Sequence, residues 1–211
     1  MTTTAMTATK TEGSWPIWLV SGATRTVYRH HNLGVLYVPQ AGNRRGPEGR
    51  PWAIDNGAFT WFDAEAFMAL LYRWRHEAGC LFAVAPDVVG DAAATRQLWE
   101  TWAPLVRALG YPVGYVAQDG TPDTPVPVDA DAVFIGGSTA FKESRAVLGI
   151  CGYARARGQW VHMGRVNTRK RYEWANTCGV QSVDGTGFSM FADTYVGRVQ
   201  RWTRQRRLSL A

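Results

Sequence analysis

The stretch CLFAVAPDVVGD, residues 80–91, begins as an apolar, β-prone run and ends in polar and turn-forming residues. The residues that follow it, AAATRQLWETWAPLVRAL (92–109), have the composition and the apolar spacing of an amphipathic helix. A strand that leads directly into a helix is the repeating unit of a parallel sheet. This stretch therefore predicts an α/β fold.

The same organisation repeats along the chain. Seven further apolar, β-prone runs end in turn residues: WPIWLVSG (15–22), LGVLYVPQ (33–40), PWAIDNGAF (51–59), PVGYVAQDG (112–120), DAVFIGGS (131–138), QWVHMGRV (159–166) and VQSVDGTGF (180–188). Helical composition and spacing mark the segments 63–78, 92–109, 141–157, 168–178 and 191–208. Eight predicted strands with intervening helices favour a compact (β/α)8 TIM barrel, with an open doubly wound sheet as the alternative.

Two connections of this barrel lack the pattern of a crossover helix. GNRRGPEGR (42–50) and TPDTPVPVDAD (121–131) are rich in Pro and Gly, which interrupt helices. The chain has 211 residues, whereas barrels of this class typically hold about 250. We therefore expect some crossover helices to be missing.

The composition indicates one soluble domain. With 46% hydrophobic residues, the chain can bury one sizeable core, so residues 15–211 are expected to form a single barrel domain that ends in an Arg-rich helix. The Thr-rich residues 1–14 are expected to be a disordered tail. No apolar run suits a signal peptide or a membrane span, which predicts a cytoplasmic protein.

Net charge and cysteine content indicate which partners and which bound metals are compatible with the sequence. A formal net charge of +6 and a pI near 9.5 are compatible with a polyanionic partner such as a nucleic acid. The three cysteines form no Cys-x-x-Cys pair and no cluster of zinc-ligand spacing, which argues against a disulfide scaffold and a structural zinc site. We expect no metal and no other cofactor. Nothing in the sequence specifies an oligomeric state.

Polar residues and glycines follow several of the predicted strands at the point where each strand ends. They are Asp55-Asn56-Gly57, Asp87, Gln118-Asp119-Gly120, Gly136-Gly137-Ser138, His162-Met163-Gly164 and Asp184-Gly185. Each group alone is typical of a turn or a helix cap. Because a barrel gathers the carboxyl ends of its strands at one mouth, the groups together predict a site there.

These residue types suit a pocket for a planar nucleobase. Phe59 and Met163 would cover the two faces of the ring, and Asp87 and Gln118 would pair with its edge. The glycines Gly136 and Gly137 would let main-chain N–H groups approach the base.

Asp55 and Asp184 suit the breaking of a bond to an anomeric carbon. One carboxylate would attack C1′, and the other would move the proton of the leaving or entering base. Such a pair needs one ionised carboxylate and one whose pKa is raised, which burial and mutual repulsion can arrange.

The segments DNGAF, APD, AQDG, FIGGS, HMG and GVQSVD resemble, in order and nearly in spacing, motifs of the tRNA-guanine transglycosylase superfamily. The resemblance covers about residues 15–188 and is greatest to the phage and bacterial DNA-guanine transglycosylases, which insert 7-deazaguanines into DNA. It implies a (β/α)8 barrel and a cytoplasmic enzyme, acting in the host cytoplasm if a phage encodes it.

The resemblance also implies roles for individual residues. Asp55 would transfer the proton and Phe59 would stack on the base, since both lie in the segment that matches the family's DSGGF/Y motif. Asp87 and Gln118 would recognise the base, Gly136-Gly137 would offer the main chain, and Met163 would cover the opposite face. Asp184, five residues after Gly179, would be the nucleophile.

Two departures from the family pattern affect the substrate. The tRNA enzymes carry a Cys/His zinc subdomain after the nucleophile, and this sequence has Gly185-Thr186-Gly187 there and no such ligands. That weakens the case for tRNA and favours DNA as the nucleic-acid partner, with a 7-deazaguanine such as preQ0 as the second substrate.

Other interpretations remain open on the sequence. Water in place of the entering base would make the chain a nucleoside hydrolase or a base-excising glycosylase, and a barrel without chemistry would only bind nucleic acid or a modified base. His162 is equally compatible with the strand core and the site lining. Four basic residues in or after the last strand-end loops are candidate phosphate contacts: Arg165, Arg169, Lys170 and Arg171.

Overall fold

The protein is described by a computed structural model that covers residues 15–22, 25–30, 33–42, 45–123 and 125–208. The tail predicted at residues 1–14 lies outside the described residues. Eight strands were predicted, and the described residues form eight: β1 (Ile17–Ser21), β2 (Leu33–Tyr37), β3 (Trp52–Ile54), β4 (Cys80–Val84), β5 (Val113–Ala117), β6 (Ala132–Ile135), β7 (Trp160–Met163) and β8 (Ser182–Val183).

The strands pair in parallel with their sequence neighbours, and β8 pairs with β1 to close the barrel. The predicted (β/α)8 barrel is thus confirmed, and the open doubly wound sheet is ruled out. A parallel barrel brings all eight carboxyl ends to one face, which is where the polar segments singled out in the sequence begin.

The helices follow the predicted order with differences at their ends. They are α1 (Arg25–Arg29), α2 (Ala64–Trp74), α3 (Ala92–Ala108), α4 (Thr139–Lys142), α5 (Arg145–Ala156), α6 (Arg169–Thr177) and α7 (Gly187–Leu208). The five-residue α1 is too short to show a sequence period. The segment predicted as one helix at 141–157 covers the last two residues of α4 and all of α5, and α7 starts earlier than residue 191 and kinks at Phe191.

The Pro/Gly-rich connections behave as predicted. Among the described residues, no helix lies between β2 and β3 or between β5 and β6. No helix in the described part of the chain is long and apolar enough to cross a membrane.

Side-chain caps start helices immediately beyond the strand-end loops. Asp91 Oδ1 accepts a hydrogen bond from the Ala94 N–H at 2.9 Å, and Ser138 Oγ accepts one from the Phe141 N–H at 3.1 Å. Capping pairs main-chain donors that a helix start leaves unbonded. The caps therefore fix where each loop at the carboxyl face ends and so shape the site.

The alternation of side chains along the strands divides the core into two layers. The barrel interior is filled by residues such as Leu19, Phe82 and Val116. The layer between the strands and the helices is larger and includes Trp52, Met163 and many other apolar side chains.

Candidate active site

A pocket opens at the carboxyl ends of the strands, and we call it the mouth pocket. Eight of the residues predicted from the sequence line it: Asp55, Phe59, Asp87, Gln118, Gly136, Gly137, Arg165 and Asp184. They come from loops after six different strands. The fold thus brings together segments that lie far apart in the chain.

Asp184 follows β8, and its carboxylate is held at both oxygens. Oδ1 accepts the main-chain N–H of Arg165 at 3.0 Å, and Oδ2 lies 3.0 Å from Nε2 of His162. The side chain is 15% exposed. Two hydrogen bonds from different groups restrict rotation of the carboxylate, while its exposed part borders the pocket.

His162 continues this network into the barrel. The Trp160 indole N–H donates to Ser182 Oγ at 2.8 Å, and Ser182 Oγ lies 2.8 Å from Nδ1 of His162. Because the indole only donates, the Ser182 hydroxyl can donate in turn to Nδ1, which leaves the proton on Nε2, facing Asp184. His162 is fully buried. It is therefore a core residue that contacts the site through Asp184, a combination of the two roles that the sequence left open.

Asp55 follows β3 and is another carboxyl group of the mouth pocket. Its Oδ1 accepts the Gly57 N–H at 2.8 Å. Burial raises the pKa of Asp55 to about 7, and the nearby charges of Asp184 and Asp87 act in the same direction, against the Gly57 hydrogen bond. Near neutral pH this carboxyl group is therefore poised between its acid and base forms.

Asp87 is the centre of a polar network. Asn56 Nδ2 donates to Asp87 Oδ1 at 2.8 Å, and Gln118 Nε2 donates to Asp87 Oδ2 at 2.5 Å. Burial raises the pKa of Asp87, and these two donors oppose that rise. Gln118 Oε1 in turn accepts the Gly90 N–H at 2.9 Å. Gln118 thus holds Asp87 in place, a contact that the sequence did not reveal, and so does the buried Asn56.

Gly136 and Gly137 occupy positions that side chains would not fit. A Cβ atom on Gly136 would lie 2.7 Å from Val116 Cγ1, and one on Gly137 would lie 2.5 Å from Asp119 Oδ2. Gly137 also has a φ of +71°, which favours glycine. The Gly136 N–H bonds to the Ala117 carbonyl at 2.9 Å, whereas no described residue accepts the Gly137 N–H.

Phe59 and Met163, the two residues predicted to cover the faces of the base, lie in different places. Phe59 is 63% exposed and lines the mouth pocket. The prediction for Met163 needs correction, because its side chain is fully buried in the layer facing the helices and does not line the pocket. Successive residues of a strand point to opposite sides, and in β7 it is His162 that packs inside the barrel against Phe134, with ring centroids 4.6 Å apart.

Arg165 takes a position over Phe59. Its guanidinium carbon lies 4.1 Å from the Phe59 ring centroid, and Nη2 donates to the Gly137 carbonyl at 2.5 Å. The backbone of Arg165 has a φ of +57°, an uncommon conformation for a residue with a side chain that is often found at functional sites.

The other three predicted phosphate contacts lie at the start of α6 in ion pairs. Arg169 pairs with Glu173 at 2.9 Å, and Lys170 pairs with Glu143 at 3.3 Å. Arg171 bonds to the Arg165 carbonyl at 2.9 Å and lies 3.4 Å from Glu143. Of the four, only Arg165 lines the mouth pocket.

Lys142, at the end of α4, is a pocket residue that the sequence did not single out. It is 1% exposed, and Nζ donates to the Gly137 carbonyl at 3.1 Å. Burial lowers the pKa of Lys142 to about 8, with further lowering by Arg165 and Arg171. A lysine in a helical segment is ordinarily solvated, so the sequence held no signal of its burial.

No family model matches this chain, and no curated protein matches it. Among the described residues, no group of three or more His, Cys, Asp or Glu side chains is arranged to hold a metal ion.

Proposed function

We propose that the protein is a base-exchange transglycosylase that replaces guanine in DNA with a 7-deazaguanine such as preQ0. One observation carries the proposal: the carboxyl groups of Asp184 and Asp55 line the same pocket. Asp184 is fixed by two hydrogen bonds, and Asp55 has a pKa raised to about 7. A nucleophile and an acid–base group are the two parts that glycosyl transfer requires.

In the first half-reaction, a carboxylate oxygen of Asp184 bonds to C1′ as the bond from C1′ to N9 of guanine breaks. Asp55 donates its proton to the departing base, so guanine leaves neutral. The sugar is then held as an ester of Asp184.

In the second half-reaction, Asp55 is a carboxylate and accepts the N9 proton of the entering 7-deazaguanine. N9 bonds to C1′ and the bond between C1′ and Asp184 breaks. Both carboxyl groups return to their starting states, so no cofactor is consumed.

The remaining pocket residues suit a guanine-like base. Asp87, held by Asn56 and Gln118, would accept hydrogen bonds from the ring N–H and the amino group, and the N–H of Gly137 would donate to the carbonyl. Phe59 would stack on one face. In duplex DNA the target must first be flipped out of the stack, at about a few kcal/mol.

The acceptor of the sugar separates this proposal from hydrolysis. The protein is incubated with guanine-containing DNA and labelled preQ0, and tRNA is assayed in parallel. We expect label to enter DNA as guanine is released in equal amount. Guanine release without label would mean that water is the acceptor, and no reaction with either nucleic acid would support a barrel that only binds.

Trapping the covalent intermediate tests the role of Asp184. The adduct is digested and the linked residue is located by mass spectrometry. We expect the link at Asp184, loss of adduct in Asp184→Asn, and normal adduct in the control Asp129→Asn, whose residue lies just before β6, at the opposite end of the barrel. A link at another residue would overturn the mechanism.

The place of action follows from the proposed substrates. An enzyme that modifies DNA would work in the cytoplasm of a bacterium, which is the host cytoplasm if a phage encodes the chain.

A further inference from the structure

Two cationic side chains meet at one main-chain carbonyl in the mouth pocket. Lys142 Nζ and Arg165 Nη2 donate to the Gly137 oxygen, at 3.1 Å and 2.5 Å. Both side chains line the pocket. None of the ion pairs within 4.0 Å among the described residues includes either of them.

Lys142 is an unusual residue to bury in this way. An ammonium group has three N–H donors, and in the described residues only one of them has an acceptor. Burying a charged group without a counter-charge is unfavourable, so lysine side chains are rarely fully buried unless paired. One hydrogen bond to a neutral carbonyl offsets only part of the free-energy cost of burying the Lys142 ammonium group.

The nearby carboxylates do not serve as the missing counter-charge. Asp184 and Asp119 interact favourably with the Lys142 charge at longer range. Asp119 accepts both the N–H and the hydroxyl of Ser138, at 2.8 Å and 2.6 Å. Asp184 is bonded to His162 and to the Arg165 main chain. Glu143 pairs with Lys170 and Arg171.

We propose that Lys142 and Arg165 form a phosphate-binding subsite in the mouth pocket, so that the substrate is a nucleotide unit with its phosphate and not a free nucleoside. Arginine offers a fork of donors and lysine a compact charge, and both are common phosphate ligands. The identity of the rest of the substrate rests on the proposed function. The phosphate can come from a polynucleotide backbone or from a mononucleotide.

The mononucleotide arm measures binding by calorimetry at fixed salt. We expect the wild-type protein to bind dGMP at least about fivefold more tightly than deoxyguanosine, as one charge-assisted contact of about 1 kcal/mol or more would give. In Lys142→Gln, which leaves Arg165 alone at the subsite, the preference should fall at least about twofold, and in Lys142→Arg it should persist, on the same reasoning. Arg107→Gln, which removes an exposed cation paired with Asp129, is the control and should keep the wild-type preference.

The polynucleotide arm uses a short single-stranded oligonucleotide with one guanine. The phosphate on each side of that guanine is replaced in turn by a neutral methylphosphonate. If a backbone phosphate occupies the subsite, one replacement should weaken binding to wild type but not to Lys142→Gln. If only dGMP shows the dependence on Lys142, the ligand is a free nucleotide.

The subsite and the proposed function can fail separately. A Lys142→Gln protein that melts at the wild-type temperature and keeps the full phosphate preference in both arms would overturn the subsite. Absence of phosphate preference in the wild type would overturn it as well. Phosphate preference that depends on Lys142 in a protein that exchanges no base would retain the subsite and overturn the proposed function.

Discussion

Nε2 of His162 lies 3.0 Å from Oδ2 of Asp184, and the imidazole is fully buried behind the carboxylate. The ring does not line the mouth pocket, so it makes no contact with a substrate there. Any influence on the chemistry acts through the orientation of Asp184. A second hydrogen bond, from Ser182 to Nδ1, holds the ring in turn, so His162 is a positioning residue.

Replacing His162 should affect the chemical step and spare base binding. His162→Phe keeps a ring against Phe134 and Phe82 and removes both hydrogen bonds. We expect adduct formation at Asp184 to slow by about 10- to 100-fold, since a nucleophile displaced by about 1 Å loses that much rate. The affinity for the entering base should change less than about twofold, because no contact to the base is removed. Single-turnover kinetics and equilibrium binding separate the two quantities.

A conservative substitution distinguishes positioning from a packing effect. His162→Gln retains an N–H donor in reach of Asp184 and should recover part of the rate. If His162→Gln and His162→Phe are equally slow while both melt like the wild type, the hydrogen bond to Asp184 is not the cause.

Most of the fold could be predicted from the sequence, because each strand and most helices are marked by residues that are close together in the chain. Each strand is a short apolar run that ends in turn residues, and the order of strands and helices leaves few parallel arrangements. The division of segment 141–157 was missed because Glu143 and Ser144 interrupt the helix without Pro or Gly.

The site could be predicted only in part, because the side of a strand to which a side chain points depends on how the whole barrel packs. Motif order placed Met163 at the mouth, but His162 packs inside the barrel and adjacent strand residues point to opposite sides. Lys142 was not predicted as a site residue, because a lysine in a helical segment is ordinarily solvated. Its burial depends on the contact of Lys142 Nζ with the Gly137 carbonyl. A separation of five residues is neither a helical nor a strand period, so the sequence pattern does not predict this contact.

The state of Asp55 predicts a pH dependence for the first half-reaction. The pKa of Asp55 is raised to about 7, so below pH 7 the group is mostly protonated and able to donate to guanine. Above pH 7 the rate of adduct formation should fall towards tenfold per pH unit. Rapid-quench measurement of the adduct between pH 6 and 9 tests this. Asp55→Asn should react slowly at every pH, and a rate that rises steadily to pH 9 would contradict the assignment.

The same raised pKa predicts that Asp55 destabilises the fold at high pH. A carboxyl group with a higher pKa in the folded than in the unfolded state binds protons more tightly when folded, so stability is lost as pH rises through about 7. Asp55→Asn removes the charge and keeps an oxygen for the Gly57 N–H. We expect it to raise the free energy of unfolding by about 2–4 kcal/mol at pH 8 and to have little effect at pH 4. Denaturant titrations at the two pH values measure this, with Asp129→Asn as the surface control.

The backbone of Arg165 predicts an unusual ranking of two substitutions. Arg165→Ala and Arg165→Gly both remove the guanidinium from Phe59 and from the Gly137 carbonyl. Only glycine relieves the φ of +57°, so the glycine variant should be more stable than the alanine variant by about 1 kcal/mol. Equal stability, or a more stable alanine variant, would show that this backbone conformation is unstrained.

The exposed ring of Phe59 predicts a loss of affinity without a loss of stability. Phe59 is 63% exposed, so Phe59→Ala should change the free energy of unfolding by about 0.5 kcal/mol or less. If the ring stacks on the base, the affinity for the entering 7-deazaguanine should fall by about 1–3 kcal/mol, roughly 5- to 150-fold. Phe59→Tyr keeps the aromatic face and should bind like the wild type.

Trp61→Ala is the matched control, because Trp61 is a similarly exposed aromatic residue, at 56%, that does not line the mouth pocket. Equal losses in Phe59→Ala and Trp61→Ala would locate base binding outside the pocket, since only one of the two rings can stack there.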